Sequence, residues 1–145
     1  MSKKRSKARE FAVQAIYQWQ ISGNDIGDII TQFAQEKKPK TYEVDYFQGL
    51  LRGVTSTLDQ LDDNLNPLLD RDIEKVDPVE RAVLRLAAFE LQAHPEIPYR
   101  VVINEAVELA KVFGADQGHK YVNGVIDKLA QKLRAIEVKA RQQSS

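Results

Sequence analysis

Cysteine is missing from all 145 residues, which excludes a disulfide framework, a thiol nucleophile and any cysteine-held zinc or iron–sulfur site. Histidine occurs twice, at His94 and His119, in no spacing that builds a metal site. There is no glycine-rich phosphate loop and no GxSxG elbow. No apolar run reaches the length of a membrane span, and the charged start Met1–Arg9 has no apolar region behind it. No stretch alternates apolar and polar residues long enough to make a strand, and no internal repeat stands out. Net charge is absent too: 21 basic and 21 acidic residues cancel, so any polyanion binding must come from local segregation of charge. These absences leave a non-catalytic cytoplasmic protein with no cofactor and no metal, and 43% hydrophobic residues are enough for one compact domain.

What remains is helical periodicity. Seven glycines and five prolines fall at segment ends. Ala8, Ala12, Ala15, Ile16 and Trp19 share a face of a first helix that Gly23 stops. Asn24 or Asp25 can cap a second helix carrying Ile29, Ile30 and Phe33, before Lys37-Lys38-Pro39 breaks it. A long segment from Phe47 to Leu65 bends near Gly53 and ends at Pro67. Asp77-Pro78-Val79-Glu80 is the strongest start signal, and the helix after it is apolar on nearly every side, as suits the middle of a bundle. Two further helices follow, one closed by Gly114 and one opened by Asp116. The expected fold is all-α, with six or seven helices in two packed sub-bundles. Residues 1–134 form the single domain, and residues 135–145 are expected to fray as periodicity is lost.

Charge is strongly segregated. Lys3, Lys4, Arg5, Lys7 and Arg9 lead the chain without an acid among them. From Asp59 to Glu80 there are eight acids against Arg71 and Lys75, and the last helix and tail turn basic again. Solvated tails and helix faces would give the same pattern. The first helix adds a sharper feature: Arg5, Arg9, Val13 and Tyr17 recur every four residues, suggesting a basic stripe that ends in a ring. Cations for phosphate and a ring for a base are what single-stranded RNA recognition needs. Glu105 and Glu108 look like a carboxylate pair, but a solvated face answered by Lys111 accounts for them more simply.

Four strings carry a resemblance: AREFAVQAIYQWQ from Ala8, VERAVLRLAAFEL from Val79, INEAVELAKVFG from Ile103 and KYVNGVIDKL from Lys120. In this order and at these distances they closely resemble the NusB family of bacterial transcription antitermination proteins, over Ala8 to about Arg134. The resemblance implies an all-helical fold of two sub-bundles and no enzymatic activity. It implies pairing with NusE, a small-subunit ribosomal protein, and joint binding of single-stranded boxA RNA in ribosomal RNA leaders. The RNA polymerase elongation complex with its other Nus factors is the larger assembly. By resemblance, RNA contact falls to Lys4, Arg5, Lys7, Arg9, Tyr17, Lys120 and Tyr121, and partner contact to Glu74, Asp77 and Glu80. No stacking is expected from Leu68, Leu69 or Arg71, where many relatives carry an aromatic residue. A protein–protein adaptor without RNA binding is the alternative. Helical domains of this family also occur fused to RNA cytosine methyltransferases, but this chain lacks a catalytic cysteine.

Overall fold

The computed structural model describes residues 2–144, which form eight α-helices and no strand. They are α1 (Lys3–Ser22), α2 (Ile26–Glu36), α3 (Val44–Ser56), α4 (Leu58–Leu65), α5 (Pro78–Ala93), α6 (Tyr99–Phe113), α7 (Gly118–Leu133) and α8 (Ala135–Ser144). The all-α class is as expected, with one or two more helices. The segment from Phe47 to Leu65 is two helices, parted at Thr57 rather than bent at Gly53.

Local chemistry fixes most of the helix ends. The Ser2 hydroxyl accepts from the Lys4 and Arg5 amides at the start of α1, and Gly23 closes that helix in the left-handed conformation (φ 72°). Asp25 caps α2, and Asp77 caps α5 by accepting from the Val79 and Glu80 amides. At α7 the expectation fails: the cap position is Gln117, not Asp116, and it has a positive φ of 73° with no side-chain bond to the helix.

Helix α5 is the axis of the molecule, buried from Arg81 through Leu91. It packs on α1, α3, α4, α6 and α7. The α3–α5 approach is close because Gly53 has no side chain: a Cβ there would come within 2.0 Å of the Phe89 ring. Helix α1 runs antiparallel to α5, since Arg9 near its start meets Glu90 and Gln20 near its end donates to the Pro78 carbonyl at 2.9 Å. The fraying expected beyond Arg134 is not found through Ser144. The Arg134 guanidinium donates to the carbonyls of Leu91, His94 and Ile97, and the Glu137 carboxylate accepts from the Tyr99 amide at 2.8 Å. Val138 is buried beneath this clamp. A weak periodicity sufficed because polar contacts, rather than an apolar stripe, hold the helix. Among the described residues, no helix is long and apolar enough to cross a membrane.

Candidate nucleic-acid interface

The basic leader divides into cations that face solvent and cations that do not. Lys4 and Lys7 are exposed, although Lys7 reaches Glu10 at 2.8 Å. Arg5 is half-buried, forked onto Glu43 at 3.0 and 3.1 Å and stacked 4.3 Å from the Tyr46 ring centre. Arg9 is 0% exposed. Its guanidinium meets Glu90 on α5 at 2.9 Å and Glu105 on α6 at 3.1 Å, and Ser6 donates to the same Glu105 at 2.6 Å. Tyr46 donates its hydroxyl to Glu90, and burial followed by that carboxylate's charge holds the phenol pKa far above its usual range. Burial opposes the charge on Arg9, but the hydrogen bond and charge of Glu90 outweigh it, so the guanidinium stays ionised. Arg9 is therefore withdrawn as an RNA-contacting residue. Glu105, which the sequence left on a solvated face, belongs to this internal network, while Lys111 pairs with Glu108.

The reason is geometric. Four residues on a helix turn through about 400°, so a spacing of four drifts by about 40° per step. From Arg5 to Tyr17 the drift is about 120°, so the row starts half-buried at Arg5, runs through the core at Arg9 and Val13, and ends in solvent at Tyr17. The solvent stripe of α1 instead holds Lys3, Lys7, Gln14, Tyr17 and Ile21. The signal that could have placed Arg9 inside is Glu90 itself, because an acid in a helix apolar all round requires a buried cation.

Tyr17 is 40% exposed and opens into a groove of about 490 Å³ between α1 and α2. Tyr121 has other neighbours. It lies half-buried at the start of α7, its hydroxyl 3.2 Å from Asp70 and its ring 5.8 Å from the Arg71 guanidinium, with Lys120 exposed beside it. The Arg71 hydrogen bond lowers the Asp70 pKa, and burial and Asp70 raise that of Tyr121. Arg71, passed over for lack of a ring, thus covers one. Lys120 and Tyr121 sit at the end of α5 opposite Arg9, since Glu80 packs against Gly118: a Cβ on that glycine would come within 2.6 Å of Oε2. The two rings therefore have different neighbours, Tyr17 the α1–α2 groove and Tyr121 the Asp70–Arg71 pair, although Gln20 and Glu80 bring both toward the same end of α5.

The acidic candidates gather where α5 begins. Asp77 is exposed as the cap. The Glu74 side chain is 66% exposed, yet it straddles Arg81 at 3.4 Å and Arg85 at 3.3 Å. Arg85 is held chiefly by the Asp62 carboxylate at 2.9 Å. Burial first, and Asp77 second, raise the Glu80 pKa.

Comparison with known proteins agrees with this architecture. The sequence profile of the NusB family matches residues 6–131. The transcription antitermination protein NusB of Nitrosococcus oceani is 55% identical, covering 97% of this chain and 95% of the relative. That of Shewanella amazonensis is 54% identical, over 86% and 93%. Among solved structures, T. maritima NusB superposes with a TM-score of 0.79 at 30% identity, covering 90% of this chain and 93% of that one. A complex of antitermination factors NusB and NusE with double-stranded RNA shares the fold, with a TM-score of 0.77 at 24% identity over 91% and 99% of the two chains. The chain belongs to the NusB family.

Proposed function

We propose that this chain is an RNA-binding transcription antitermination factor that binds boxA-type single-stranded RNA of ribosomal RNA leaders jointly with NusE. In this role it supports processive elongation by cytoplasmic RNA polymerase together with other Nus factors. The role is one of binding and bridging, and no reaction is assigned to it. The observation that carries the reading is the solvent stripe of α1, where exposed lysines lead to an exposed tyrosine in a chain 55% identical to an antitermination protein. Lys4, Lys7, Tyr17, Lys120 and Tyr121 are the proposed RNA-facing residues. Arg5 contributes by holding its ring partner in place. Glu74, Asp77 and Glu80 form the proposed acidic face for NusE.

With Arg5 and Arg9 of the leader turned to internal carboxylates, the leader alone offers less to a phosphate backbone, and a second protein that widens the basic surface raises affinity. A gel-shift titration of boxA RNA checks this. Weak binding alone and much tighter binding with NusE is the expected result, and equal binding in both cases contradicts it. The internal pairing of Arg5 and Arg9 favours one competing reading, a protein adaptor that ignores RNA. Absence of RNA retention even with NusE would establish that reading instead.

A further inference from the structure

The α1–α2 groove has a basic rim that comes from a part of the sequence so far without a role. The ammonium groups of Lys7 and Lys37 lie 5.8 and 5.0 Å from the centre of the same Phe11 ring, so α1 and the residue that closes α2 set their cations around one ring. Lys37 lines the groove, and Lys38 and Lys40 follow it, both exposed. None of these last three lysines is in an ion pair among the described residues. The loop is held beside the basic leader, because the Glu43 amide donates to the Lys4 carbonyl at 3.1 Å and Arg5 grips the Glu43 carboxylate.

Below this rim the walls are of another kind. The Tyr17 ring and the 58%-exposed Ile21 give flat apolar surface, and the amides of Gln14, Gln18 and Gln32 supply donors and acceptors. Gln18 donates to Gln32, which donates to Glu36, so the amides form a chain whose outer members can re-pair with a ligand. A cationic rim above a ring and an amide wall matches the three parts of a nucleotide: phosphate, base face and base edge. An apolar peptide side chain would leave the amides unanswered, and an acidic peptide would have no use for the ring.

We propose that this groove binds one unstacked nucleotide of single-stranded RNA. Lys7 and Lys37 hold its phosphate, Tyr17 and Ile21 hold its base, and Lys38 and Lys40 carry the next phosphates along the loop. This rests on the RNA-binding role proposed above and adds to it a second bank of contacts outside the basic leader.

The test is fluorescence anisotropy of labelled boxA RNA against the complex with NusE, in wild type, in the Lys37→Ala/Lys38→Ala/Lys40→Ala triple variant and in Ile21→Glu. All altered positions are solvent-facing or half-buried, and circular dichroism verifies the fold. The triple variant should lose about tenfold in RNA affinity and flatten the log–log salt slope by roughly 2, at about 0.7 per single-strand phosphate contact. Ile21→Glu should weaken RNA binding with NusE affinity unchanged. RNA affinity and slope equal to wild type in both variants would overturn the inference, as would loss of NusE binding in place of RNA binding. Failure of the wild type to bind RNA at all would instead sink the functional reading on which the groove depends.

Discussion

Arg9 of α1 and Glu90 of α5 form an ion pair closed to solvent, 0% and 2% exposed at the side chain and 2.9 Å apart. This pair is the pin of the basic end of the molecule: Glu90 also receives Tyr46, and Arg9 also reaches Glu105. Removing one member leaves the other charged and dry, which costs roughly 3–5 kcal/mol. Arg9→Leu should therefore lower stability by that order in urea denaturation, and Arg9→Leu/Glu90→Leu should recover part of it. A single variant as stable as wild type would show that the pair carries no such burden.

The same geometry separates RNA contacts from structural cations. Lys4→Ala/Lys7→Ala should flatten the salt dependence of RNA binding by roughly 1.4, at about 0.7 per phosphate contact. Arg9→Lys, per folded molecule, should leave that slope unchanged. A slope that responds to Arg9→Lys and ignores the two lysines would reverse the assignment.

Gly53 on α3 sits where the Phe89 ring of α5 fills the space of a side chain. Gly53→Ala should destabilise by about 1–3 kcal/mol through overpacking, despite alanine's better helix propensity. Gly53→Ala/Phe89→Leu should restore much of the loss in thermal unfolding. If the single variant is stabilised, the close helix approach has been misjudged.

Glu80 carries a pH signature. Burial, then Asp77, raise its pKa in the folded state, so its ionised form works against folding. Below the ordinary glutamate range the group is protonated in both states and the cost vanishes; above the raised pKa the full cost is present. Glu80→Gln should thus raise Tm at neutral pH, with the gain shrinking as pH falls through the raised pKa. An identical offset at both ends of the titration would exclude this origin. Glu80→Lys, measured by calorimetry, should weaken NusE binding by like-charge repulsion, and unchanged affinity would move the interface elsewhere.

Helix starts and the axial helix were legible in the sequence wherever a local signal and the apolar pattern agreed. Asp77-Pro78 and the all-round apolar run after it fixed α5, and Gly23 fixed the end of α1. What escaped were contacts between distant residues. Nothing near Arg9 signals Glu90 or Glu105, and nothing near Glu137 signals the Tyr99 amide it caps. The candidate site suffered most, because on a basic helix the choice between an outward and an inward arginine rests on which carboxylates the fold delivers. Tyr121 likewise acquired Arg71 from a segment from which no stacking was expected.

Order of synthesis gives the Arg9 network a further meaning. The first helix leaves the ribosome early, yet its two carboxylate partners lie 81 and 96 residues downstream. Until α5 emerges, the leading arginine has no counter-charge to enter the core with, and the N-terminal helices have no axis to close on; α6 then adds the second carboxylate. The N-terminal helices therefore stay open until α5 has been made, and the network around Arg9 is complete only when α6 follows it.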